Sequence, residues 1–168
     1  GRDAGAHSRQ LHVMDARGGI AAFTGEKCVD WAGHVQGEGV SVAGNMLAGP
    51  QVVRETLAAY EASERMPFAE RLLAAMEAGE RAGGDKRGRQ SAALRIHRGE
   101  AYPWIDIRTD DHADPLAELR RLLAVAGERY LHVAETLPTS DNVSGMLDRS
   151  VIDLRIAELE DRRKAEGR

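Results

Sequence analysis

The 168 residues carry a formal net charge of −4, and 42% are hydrophobic against 30% charged. The chain is long enough for one sizeable core, and its acidic balance argues against a general binder of nucleic acid or of anionic membranes. The single cysteine, Cys28, excludes an intrachain disulfide and a cysteine-built zinc site. No apolar run approaches the ~20 residues of a membrane helix. The cytoplasm is therefore the expected compartment.

Residues 1–9 are polar and glycine-bearing and read as a frayed lead-in. Gln10 to Asp15 alternates around Leu11 and Val13, and Ile20 to Thr24 follows a Gly18–Gly19 turn, which is a hairpin signature. His12 falls between Leu11 and Val13, so a strand points it away from their shared face, to a surface or inter-strand position. Gly25 to Gly39 is glycine-rich and reads as irregular, yet it holds Trp31 and His34, which a surface linker seldom carries. Val40 to Ala43 reads as a strand that closes into Gly44-Asn45-Met46, where Asn45 holds a bend or presents its amide to a ligand.

Pro50 suits a first helical position, and Val53, Leu57 and Tyr60 recur at helical spacing to about Glu64. Pro67 opens a second amphipathic helix, with Phe68, Leu72, Leu73 and Met76 as its apolar stripe and Gly83–Gly84 as its end. Such apolar helices over 50–64 and 67–82 lead to the expectation of a homodimer. Ser91 to His97 and Trp104 to Thr109 read as a further hairpin, with Leu94, Ile96, Ile105 and Ile107 facing inward. Asp114 is a natural N-cap before Pro115, opening a helix that continues through Leu116, Leu119, Leu123, Ala126, Tyr130 and Val133 towards Leu137, with Gly127 as a candidate interruption. A last helix runs from Leu147 to about Lys164, with Val151, Leu154 and Ile156 or Leu159 as its apolar positions. The expected division is a main domain over 1–137 and a helical extension over 138–168.

Between the second helix and the third hairpin lies Gly83-Gly84-Asp85-Lys86-Arg87-Gly88-Arg89-Gln90, with three glycines and three cations. It reads either as a solvated basic connector or as a loop whose Arg87 and Arg89 guanidinium forks meet a phosphate or carboxylate. The Gly-Lys-Ser/Thr ending of a phosphate loop is missing. Asp110, Asp111, His112 and Asp114 have the chemistry of divalent-ion ligands, but Asp114 already has a capping task, and no metal or other cofactor is expected. Cys28 with His34 forms a nucleophile–base pair by residue type alone; a buried, inert thiol is the simpler reading of Cys28. Ser91 lacks the small-residue elbow of a hydrolase nucleophile.

Three blocks go beyond composition: residues 12–49 (HVMDARGGIAAFTGEKCVDWAGHVQGEGVSVAGNMLAG), 83–94 (GGDKRGRQSAAL) and 106–123 (DIRTDDHADPLAELRRLL). In this order they resemble the prokaryotic family called domain of unknown function ten-twenty-eight, placed among the N-terminal-nucleophile (Ntn) hydrolase-like folds. The resemblance implies an α+β fold, an αββα sandwich of antiparallel sheets between helical layers. It also implies hydrolysis of an amide bond in a small molecule or peptide, with a non-catalytic binding or structural module, cell-wall associated in some relatives, as the alternative. Ntn enzymes attack through an N-terminal Thr, Ser or Cys whose own amine is the base. Gly1 has no side chain to attack with, so the expectation is that the N-terminal portion with the nucleophile lies outside this chain. By the same resemblance Asn45 donates to an oxyanion, and Asp85, Arg87, Arg89 and Gln90 orient substrate or the nucleophile's amine; an Asp85–Arg89 salt bridge that only shapes the loop is the alternative. Trp31 and His34 complete the expected substrate-facing set.

Overall fold

A computed structural model describes residues 3–167, and the chain divides into two compact units, Gly1–Arg89 and Gln90–Arg168. In the first unit, β1 (Gln10–Met14) and β2 (Ile20–Thr24) form an antiparallel hairpin with Gln10 opposite Thr24 and Leu11 opposite Phe23. Asp15 ends β1 instead of extending it: its Oδ1 accepts from the backbone N–H groups of Arg17 and Gly19, at 2.8 Å each, and so builds the turn. The stretch expected to be irregular contains a strand, β3 (Gly33–Gly37), which pairs with β4 (Val40–Gly44) across the two-residue Glu38–Gly39 turn.

The side chains of the first hairpin face opposite to their polarity. The face bearing Gln10, His12 and Thr24 bonds across to β3 and β4. Leu11, Val13 and Phe23, on the other face, are 60%, 55% and 47% exposed. His12 Nδ1 lies 2.9 Å from Ser41 Oγ on β4, the inter-strand position expected of it.

Helices α1 (Pro50–Ala62) and α2 (Phe68–Arg81) pack together, and α1 also covers β3 and β4. Their core is Val52, Val53, Ala69, Leu73, Ala75 and Ala78. Phe68, expected inside, is exposed. Pattern reading favours large side chains, whereas close helix approach selects small ones, so the alanine face is the packed face. The Gly83–Gly84 stop stands as expected. Gly84 has φ 52° and its N–H reaches back to the Gly79 carbonyl at 3.1 Å, a left-handed C-terminal closure that a side chain would strain.

In the second unit, β5 (Ala92–Ile96) and β6 (Ile105–Thr109) form the third two-stranded antiparallel ladder, with Leu94, Ile96 and Ile105 buried and an Arg95–Asp106 ion pair of 2.7 Å across the outer face. The ladder packs against α3 (Pro115–Glu128), whose first turn is capped by Asp114 Oδ1 accepting from Ala117 N–H at 3.2 Å. Gly127 stays helical. The break comes at Arg129, whose φ of −144° leaves the helix before α4 (Tyr130–Ala134). Arg129 pairs with Glu160 at 3.2 Å and Glu128 with Arg163 at 2.9 Å on α5 (Ser150–Ala165). On α5 the buried positions are Ile152 and the expected Ile156, whereas the expected Val151 and Leu154 are exposed. The helix is heavily charged, so its apolar stripe is ambiguous in sequence and is decided by which side meets α3 and α4. The class is α+β, and among the described residues its strands form three separate two-stranded ladders. No described helix is long and apolar enough to cross a membrane.

Candidate functional site

The polar side chains of the first unit converge at the ends of four strands, around Gln10. Its Nε2 lies 3.0 Å from the Gly33 carbonyl, 2.9 Å from the Gly44 carbonyl and 3.1 Å from Thr24 Oγ1. Carbonyl oxygens only accept, so these contacts settle which end of the Gln10 amide is nitrogen. The carbonyl end then accepts from Asn45 Nδ2 over a long 3.4 Å. Thr24 Oγ1 is also 2.8 Å from His34 Nδ1. One glutamine thus ties together β1, β2, β3 and β4 and gathers Thr24, His34 and Asn45.

The surrounding backbone brings further expected residues to this corner. Trp31 sits over Gly33, where the ring occupies the space that a β-carbon would need. Its backbone pairs with Leu47, whose N–H donates to the Trp31 carbonyl at 3.0 Å. Asn45 precedes Met46, a non-glycine residue at φ 55°. That conformation costs on the order of 1 kcal/mol or more. It turns the chain sharply at the end of β4 and leaves the Asn45 side chain exposed beside Gln10. The basic loop is stitched to the same turn: Lys86 N–H donates to the Met46 carbonyl at 2.8 Å and Ala48 N–H to the Gly84 carbonyl at 3.0 Å. Lys86 Nζ donates to the Asp30 carbonyl.

The loop's charges are spent largely on each other. Arg87 donates through Nε and Nη2 to Asp85 at 2.9 and 2.6 Å, and its backbone N–H adds a third bond to Asp85 Oδ1 at 2.8 Å. The internal ion pair that shapes the loop is therefore Asp85–Arg87. Arg89 lies 3.7 Å from Glu80. The Arg87 side chain first, and its backbone N–H second, lower the Asp85 carboxyl from 3.8 to about 2. A group whose folded pKa lies below its unfolded one stabilises the fold above the unfolded value and loses that contribution as pH falls. Stability is thus expected to drop between pH 3.8 and about 2. The Arg87 side chain is 65% exposed, so solvent screening holds the effect to about 1 kcal/mol. Urea titrations at pH 5 and pH 2 check this: Asp85→Asn should flatten the difference by that amount, and an unchanged slope against pH would show that the pair carries no such linkage.

Of the sequence-derived residues, Trp31, His34 and Asn45 gather with Gln10 and Thr24, and Asp85 and Arg87 border them on the stitched loop. Gln90 falls in the second unit, where its carbonyl accepts from His112 N–H at 2.9 Å. Cys28 is half-buried, and His34 Nδ1 is turned to Thr24. In the acidic segment, His112 Nδ1 accepts from Asp114 N–H at 3.0 Å, Asp114 caps α3, and Asp110 pairs with Arg108 at 3.3 Å. Gln10 and Thr24 were missed in the sequence. Their signal was positional: two hydrogen-bonding side chains at the outer ends of facing hairpin strands.

Together these features define an α+β protein with a polar site built on strand ends and walled by a glycine-rich loop. Residues 1–119 match the Family of unknown function (DUF1028), and the chain belongs to that family. The crystal structure of a Silicibacter pomeroyi protein of the same family is similar at 34% sequence identity and a TM-score of 0.77, over 88% of this chain. The chain spans 65% of the length of that relative. Among curated proteins none matches.

Proposed function

We propose that this chain is the substrate-facing part of a hydrolase that cleaves an amide bond in a small molecule or peptide. The observation that carries the reading is the Gln10 hub, which holds a hydroxyl, an imidazole and an exposed carboxamide at one corner. Acyl-transfer sites need those groups: a proton acceptor near the attacking atom and a preorganised donor for the developing oxyanion. The Ntn-type sandwich and its N-terminal nucleophile belong to this proposal; Gly1 lies outside the described residues. The hydrolase-like domain is taken to run over 1–137, with 138–168 as a helical extension. A cytoplasmic location belongs to the proposal, and the acidic net charge supports the absence of a nucleic-acid or anionic-membrane partner.

A second reading, a non-catalytic binding or structural module of the same fold associated with cell-wall material, is supported by the Asp85–Arg87 pair, which occupies the loop's guanidinium fork. The discriminating assay follows release of free amine from a panel of N-acyl amino acids and dipeptides. Turnover above the uncatalysed rate supports the hydrolase. Binding of peptidoglycan fragments with no amine release from any member supports the module instead. The proposed enzyme is a homodimer, and a monomer mass by light scattering at micromolar concentration would overturn that part.

A further inference from the structure

We propose that Thr24 is the attacking hydroxyl of this site, with His34 as its general base, so that the chain carries a nucleophile of its own. The inference rests on the amide-hydrolase reading and puts a side chain of this chain in the place of the N-terminal nucleophile. Its ground is the 2.8 Å approach of the Thr24 hydroxyl to the His34 imidazole. Gln10 Nε2 has two hydrogens, which the Gly33 and Gly44 carbonyls take, and it stands 3.1 Å from Thr24 Oγ1 with no lone pair to accept the hydroxyl's proton. The hydroxyl therefore keeps its own proton to give, and His34 Nδ1 is the acceptor within reach. With the ring proton on Nε2, the Nδ1 lone pair is aimed at that hydroxyl, the arrangement an activated nucleophile requires.

The neighbours fit the later stages of the same reaction. Asn45 Nδ2 gives one proton to Gln10 over 3.4 Å and has a second to offer an oxyanion. Trp31 over Gly33 supplies a flat apolar wall beside His34. In the first step Thr24 Oγ1 forms a bond to the carbonyl carbon of the substrate, its proton passes to His34, and the carbonyl π pair moves onto oxygen. Collapse re-forms the carbonyl and breaks the C–N bond, and the departing amine takes the proton from His34. Water then adds to the acyl group, gives its proton to His34, and releases the carboxylic acid as Thr24 recovers its hydrogen.

The test uses the full chain and a β-lactone, which acylates a nucleophilic hydroxyl by opening its own ring. Peptide mapping by mass spectrometry should place the adduct on Thr24. Thr24→Ser should keep the adduct and Thr24→Val abolish it. His34→Gln should slow labelling by about 10²–10⁴-fold. Circular dichroism of Thr24→Val separates a lost hydroxyl from a lost fold, and retained adduct in Thr24→Ser keeps the case testable if the valine variant unfolds. An adduct on another residue, with amine release persisting in Thr24→Val, overturns the inference and leaves the hydrolase reading standing. No adduct and no amine release from any substrate overturns both.

Discussion

Leu73→Ala is expected to lower the unfolding free energy by about 3 kcal/mol, within the ~2–5 kcal/mol range for emptying a fully buried leucine site. Leu73 is 0% exposed and is the largest side chain on the packed face of α2; the other buried residues there are alanines and a glycine. Alanines cannot move to fill the space, so relaxation is limited and the cavity term is retained. Phe68→Ala provides the contrast. Its ring is 51% exposed at the start of the same helix, and its loss is expected to cost under about 1 kcal/mol. Urea denaturation midpoints of the two variants decide the matter. Equal shifts would mean that the apolar stripe read from the sequence, not the alanine face, is the one that packs.

Asn45→Ala is expected to act in the opposite way, on turnover and not on stability. The side chain is exposed and its hydrogen bond to Gln10 is long at 3.4 Å, so the fold should change by no more than about 0.5 kcal/mol. An oxyanion donor, by contrast, contributes only once charge develops in the transition state. Under the amide-hydrolase proposal, kcat for amine release is expected to fall by about 10²–10³-fold with KM little changed. The measurement is a comparison of kcat and KM with thermal midpoints on the same samples. A large rise in KM at constant kcat would make Asn45 a substrate contact rather than an oxyanion donor, and unchanged kinetics would remove it from the site.

Much of the second unit was readable because each element carries its own signal. Leu94, Ile96, Ile105 and Ile107 alternate at the period of a strand, and Asp114-Pro115 marks a helix start with one capping oxygen and one missing N–H. In the first unit the signals conflict. The β1–β2 alternation locates the strands, yet Leu11, Val13 and Phe23 face solvent while Gln10 and Thr24 face the neighbouring hairpin. Alternation separates two faces without stating which one meets a partner. β3 went unread because Gly33 and Gly37 hide its pattern, although the Glu38–Gly39 pair is a two-residue hairpin turn.

The sequence by itself determined the α+β class, most of the strand and helix positions, the stop at Gly83–Gly84 and the family, because those depend on periodicity, turn chemistry and ordered blocks of residues. Only the tertiary structure decided the site. Gln10, Thr24, His34 and Asn45 lie up to 35 positions apart in the chain, and no local pattern relates them. They meet because two short hairpins bring their strand ends together, and there a single amide can satisfy carbonyls from two strands beside a hydroxyl and an imidazole.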